Sequence, residues 1–150
     1  MTSSHLHLQF GPAMTTLASA EGGAIALGPS PAVLAQRCFR QGPPTAVEIE
    51  HAIDIVEDGL MAARLSKPSP SGLTTSEPTL RRLPGLEVVG APLSREAVES
   101  LFQQLASIAL GMPNRGEAVA ADPEVAAALV ITRECMHHLG FESIRMLPDC

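Results

Sequence analysis

The chain predicts an α+β fold: one domain in which a small mixed or antiparallel sheet of about three to five short strands packs with about four helices. Three observations carry this expectation. Alternating polar and apolar residues, broken by turn signals, crowd into residues 1–28. Helical periodicity with capping residues at its borders then takes over. Later strand signals stand between pairs of helices, unlike the single-helix alternation of a βαβ array.

His5-Leu6-His7-Leu8-Gln9-Phe10 alternates with the period of a half-buried strand. Gly11-Pro12 marks a turn, Met14 to Ala18 a second strand, and Gly22-Gly23 a turn before a third strand at Ala24 to Leu27. Ser30-Pro31 opens a helix that ends near Gln41-Gly42, with Ser as cap and Pro at the first position, where its missing N–H costs nothing. Thr45-Ala-Val-Glu48 is a capping box. The helix it starts runs from Ala46 to about Leu65. Ile49, Ala52, Ile53, Val56, Leu60 and Ala63 form its apolar stripe, and Glu50, His51, Asp54, Glu57 and Asp58 its acidic face.

Ser66 to Pro78 is rich in Pro and Ser and holds one apolar residue, Leu73, so it is expected to remain a mobile loop. Leu86 to Val89 reads as a short strand. Ser94 caps a helix reaching Leu110, striped by Val98, Leu101, Phe102, Leu105 and Ile108 and stopped by Gly111 and Pro113. Asp122-Pro123 opens a helix to Leu139 that is apolar almost all round in its first half, a pattern expected of a helix buried on several sides. Gly140 ends it, and Ser143 to Leu147 reads as a last strand.

Composition narrows the function. The chain has 150 residues, a net charge of −6, no Trp, no Tyr and four Phe. Single-stranded nucleic acid is held on aromatic platforms beside basic grooves, and duplex DNA by clustered cations; neither is available, so nucleic acid is excluded as a partner. No apolar run approaches the ~20 residues of a membrane helix, and no basic-then-apolar leader is evident, which points to a cytoplasmic protein without membrane contact. Three widely spaced cysteines, Cys38, Cys135 and Cys150, read as free thiols.

No phosphate-binding Gly-rich motif, no Gly-x-Ser-x-Gly elbow and no Cys-x-x-Cys is present. The sharpest constellation is a pair of Glu-x-x-His sequences, Glu48–His51 and Glu134–His137. At this spacing a carboxylate and an imidazole share a helix face, as in carboxylate-bridged metal bundles, and Glu96 or Glu99 could add a ligand. Against it, Glu48 is already used by the capping box and faces away from the apolar stripe. Cys135 with His138 is a possible activated thiol, and His5-x-His7 a strand pair of imidazoles.

These readings lead to a non-catalytic accessory or assembly protein that works through protein contact, as a homodimer joined at Val47, Ile55, Val130 and Ile131. The alternative is a metal-binding protein or metal-dependent enzyme that holds a metal ion with Glu48, His51, Glu134 and His137. A third is a small-molecule sensor with an apolar pocket between sheet and helices.

Overall fold

The computed structural model describes residues 6–19, 23–39, 43–63, 72–113 and 122–148. Among the described residues, six strands and four α-helices form one α+β unit. They are β1 (Leu6–Phe10), β2 (Met14–Ser19), β3 (Ala24–Pro29), α1 (Pro31–Cys38), α2 (Ala46–Ala63), β4 (Leu73–Thr75), β5 (Pro92–Ser94), α3 (Arg95–Ala109), α4 (Pro123–Leu139) and β6 (Ser143–Met146). The sheet is mixed, in the order β3-β2-β1-β4-β6-β5. β1, β2 and β3 form an antiparallel meander; β4 lies parallel to β1 and β6 parallel to β4; β5 closes the far edge antiparallel to β6. One strand more than the expected range is present.

The helix borders follow local chemistry. Ser30 Oγ accepts the Val33 N–H and Ser94 Oγ the Ala97 N–H. Thr45 Oγ1 accepts the Glu48 N–H, while Glu48 accepts the Thr45 N–H in return. Asp122 accepts the Glu124 N–H. Gly140 ends α4 in the left-handed conformation that a Cβ disfavours.

Two elements depart from the sequence reading. Leu73–Thr75 lies within the segment expected to be a loop, yet it is a strand in the middle of the sheet; residues 64–71 of that region lie outside the described ones. Leu73 is fully buried, and Thr75 Oγ1 donates to the Leu8 carbonyl, so a polar strand is satisfied inside the sheet. Leu86 to Val89 is a turn region instead of a strand. Gly85 and Gly90 on either side take positive φ and curl it, and the edge of β6 is paired by Pro92–Ser94.

The core is continuous. Leu8, Leu17, Leu73 and Ile144 supply the buried face of the sheet, and every residue of α4 from Val125 to Thr132 is buried. α4 packs against α1, α2 and α3, which sheathe it. Val130 and Ile131 therefore serve this chain's own interior, which corrects their expected place in an interface between copies. Val47 is 75% exposed, and Ile55 packs half-buried against the core.

α2 reaches β3 at a backbone-to-backbone contact. A Cβ on Gly28 would meet the Gly59 Cα at 3.7 Å, and one on Gly59 would fall within the radius of the Leu27 carbonyl oxygen. Gly59→Ala is expected to destabilise the protein by about 1–3 kcal/mol through overpacking, against the ~1 kcal/mol that alanine returns as a better helix former. Urea unfolding followed by circular dichroism measures it; an unchanged or raised midpoint contradicts the tight contact.

Candidate functional site

The sheet has a switch point. From β1 the chain turns towards β2 and β3; from β4 the order continues the other way, to β6 and β5. In open sheets a crevice forms where loops diverge outside the carboxyl ends of parallel strands, and ligands bind there. A cleft of about 530 Å³ lies at this place, where Gln9, Phe10, Gly11, Met14 and Thr16 of the β1–β2 hairpin face Glu77.

Its walls are built locally. The turn closes on itself through the Gly11 N–H donating to the Met14 carbonyl at 2.8 Å. A Cβ at Gly11 would stand 3.2 Å from that same oxygen, so a larger residue crowds the turn. The turn is braced by the start of α1: the Ser30 N–H donates to the Ala13 carbonyl and Ser30 Oγ to the Pro12 carbonyl. Glu77 follows β4, and the register that pairs Leu8 with Thr75 carries it alongside the end of β1. There its Oε2 accepts the Phe10 N–H at 3.1 Å, and its own N–H donates to Thr75 Oγ1. Beside it, the His7 ring lies 2.9 Å from Thr74 Oγ1 and 3.1 Å from Ser76 Oγ. The cleft is thus lined by the main chain of the hairpin, by Thr16 and by one oriented carboxylate, a group able to act as a general base.

The sequence reading treated Gly11-Pro12 as a turn and Glu77 as part of a loop. Only the pairing of β4 with β1 brings them together. The available signal was the conjunction of a strand, a glycine turn and a serine-capped helix start, and it is weak without the partner strand.

The residues singled out from sequence lie elsewhere. Glu48 is engaged in the capping box, and His51 Nδ1 sits 3.7 Å from Cys38 Sγ, a thiol that burial, reinforced by Glu48, pushes up from its ordinary value. Glu134 and His137 are on α4. The four do not converge: among the described residues the one group of three metal-ligating side chains within mutual reach is Glu57, Glu134 and His138. Cys135 is fully buried and its thiol is pushed up to about 12, so it is unsuited as a nucleophile. His5 lies outside the described residues. On the acidic face of α2, Glu50, His51, Asp54 and Asp58 are exposed, and Glu57 meets another element at 3.4 Å from His138 Nε2.

Arg133 organises the α3–α4 side. It forms a fork on Glu99, with Nε at 2.8 Å and Nη2 at 3.2 Å, and its Nη1 lies 2.6 Å from Glu134 Oε2. Its guanidinium also stacks 4.1 Å from the Phe102 ring centre. The Arg133 hydrogen bonds hold Glu99 below the usual carboxylate range, whereas burial raises Glu134 above it despite the Arg133 charge.

No family model matches the chain, and no curated protein matches it in sequence. Solved structures do match its fold. The Aquifex aeolicus PPX-GPPA enzyme superposes on 98% of this chain with a TM-score of 0.74 at 15% identity, over 54% of its own length. The type II crystal variant of the Aquifex aeolicus Ppx/GppA phosphatase matches 98% of the chain with a TM-score of 0.72 at 17% identity, over 54% of its length. An exopolyphosphatase-like protein matches 98% with a TM-score of 0.72 at 13% identity, over 55% of its length. The chain spans about half the length of the structures it matches. These likenesses correct the expectation of a non-catalytic accessory protein acting through protein contact. That expectation rested on missing motifs, and the fold is one that named enzymes, a phosphatase among them, use over half their length. The alternative built on the two Glu-x-x-His pairs falls with the separation of their residues.

Two outcomes are expected of the charge network. The folded-state pKa of Glu99 is lowered by Arg133, and that of Asp122 by Arg82 and the Glu124 N–H. The stability these carboxylates contribute is present above their unfolded pKa and is lost as pH falls through the depressed folded values, below about pH 4. Glu134, raised, acts with the opposite sign. The double variant Glu99→Gln/Asp122→Asn is therefore expected to lose less stability than the wild type on acidification, read as melting temperature against pH. Arg133→Met leaves Glu134 buried without its cation and is expected to cost about 3 kcal/mol in urea unfolding.

Proposed function

We propose that this chain is a catalytic phosphatase module that hydrolyses phosphoanhydride bonds, with inorganic polyphosphate as the substrate class, at the cleft between the β1–β2 hairpin and Glu77. The observation that carries the reading is the likeness of 98% of this chain to about half of the Ppx/GppA phosphatase fold, joined to a cleft at the switch point of the sheet. In this reading the terminal phosphate approaches the main chain of the Gly11 turn and the Thr16 hydroxyl. Glu77, held by the Phe10 N–H, orients a water for in-line attack on phosphorus and accepts its proton. The P–O bond to the leaving phosphate breaks, and the leaving oxygen takes up a proton from solvent.

Carboxylate and phosphate repel, so a water or a cation is needed between them; none of the described lining residues is Arg or Lys. A cytoplasmic location accords with the unpaired, buried Cys38 and Cys135, and no helix among the described residues is long and apolar enough to cross a membrane.

The test is phosphate release from tripolyphosphate and longer polyphosphate by the purified protein with Mg²⁺ present. Turnover is expected, with Glu77→Gln slowing it about 100-fold, the lower range for loss of a general base, and leaving KM near its original value. Gly11→Val is expected to raise KM by crowding the turn. An absence of phosphate release, together with unmoved amide NMR signals over residues 9–16 on adding tripolyphosphate, overturns the reading.

A further inference from the structure

Away from the cleft, and sharing no residue with it, three ligating side chains meet between α2 and the last turn of α4. Glu57 Oε2 lies 3.4 Å from His138 Nε2, and Glu134 Oε1 lies 3.8 Å from the same nitrogen. All three donor atoms fall within 4.8 Å of one another. Donors at about 2.0–2.1 Å around a tetrahedral zinc ion are about 3.3 Å apart, so two of the three edges are already close to that size. The partly exposed Glu57 can supply the remaining movement.

Charge points the same way. Arg133 binds Glu99 and Glu134 together, so one guanidinium serves two carboxylates, and Glu57 adds a third. With all three carboxylates ionised and a neutral imidazole, the group carries two negative charges in excess, which a cation or a proton has to offset. Glu134 is 2% exposed. Its Oε2 is taken by Arg133, while Oε1 turns towards Glu57 and His138, and two carboxylates in contact need a proton or a cation between them. His138 stands in the last turn of α4, where the helix dipole favours positive charge. The neighbouring His137 ring is edge-on to His138, with centres 6.0 Å apart.

We propose that Glu57, Glu134 and His138 bind one divalent transition-metal ion of the zinc class, tying α2 to the end of α4, with water completing its coordination. One imidazole nitrogen and two carboxylate oxygens suit zinc better than the all-oxygen preference of Mg²⁺ or Ca²⁺. The site staples two helices and is separate from the proposed phosphatase cleft, so its failure leaves that reading untouched.

The experiment is isothermal titration of chelator-treated protein with Zn²⁺, alongside the visible spectrum of the Co²⁺ form. One equivalent is expected to bind, with a tetrahedral Co²⁺ spectrum that lacks a thiolate charge-transfer band. Glu57→Gln and His138→Ala, both at partly exposed positions, are expected to weaken binding about tenfold or more while keeping the far-ultraviolet circular dichroism of the wild type. Cys38→Ala/His51→Ala is expected to bind as the wild type does. The proposal is overturned if the wild type binds no Zn²⁺, if the Glu57 and His138 variants match it, or if the Cys38/His51 variant is the one that loses the ion.

Discussion

The burial of α4 governs this structure. From Val125 to Thr132 no residue of the helix is exposed, so its whole circumference has to be covered. A sheet can cover one side only. α1, α2 and α3 close the others, and each presents its apolar stripe inwards to do so. Deleting a large buried side chain from such a packed interior costs about 2–5 kcal/mol, a large part of what holds a domain of this size together. The one guanidinium at this helix, Arg133, is kept at its margin. There it stacks on Phe102 and neutralises Glu134, the carboxylate that α4 draws inwards.

The position of the cleft follows from that arrangement. With the helices bound to α4, the long connection from β3 returns through α1 and α2 and enters the sheet as β4, parallel to β1. The parallel pair creates a place where the loops part. Gly11 can close its turn there because Ser30 ties the hairpin to the first helix, and Glu77 arrives because β4 is only three residues long. The fold is similar to that of the solved structures it matches at 13–17% identity, so the likeness lies in the backbone and little of it in the side chains.

Two kinds of carboxylate result. Glu77 stands at a strand end, held by a main-chain N–H and open to the cleft. Glu134 is drawn under the helices, raised by burial and set against Glu57 and His138. The first has the exposure that acid–base work on a diffusing substrate requires. The second has the confinement that suits a bound ion.

Much of the fold was legible in residues that act locally. Ser30, Thr45, Ser94 and Asp122 announce their helices because a cap needs only the next three residues, and Gly140 ends α4 for the same reason. The stripe of α2 and the all-round apolarity of α4 follow from periodicity, so the α+β class and the four described helices could be read directly. The sequence also identified Glu134 as a candidate ligand, but paired it with His137, at i+3 on the same helix. The structure pairs it with His138 at i+4 and with Glu57, 77 residues earlier in the chain. β4 escaped notice because Leu-Thr-Thr has no apolar period of its own; its hydrogen bonds come from strands on both sides. The pairing of Gly11 with Glu77 escaped for the same reason. Local hydrogen bonds and periodicity are written along the chain, and they determined the elements; contacts between residues far apart in sequence exist only once the sheet is ordered, and the tertiary structure alone decided them.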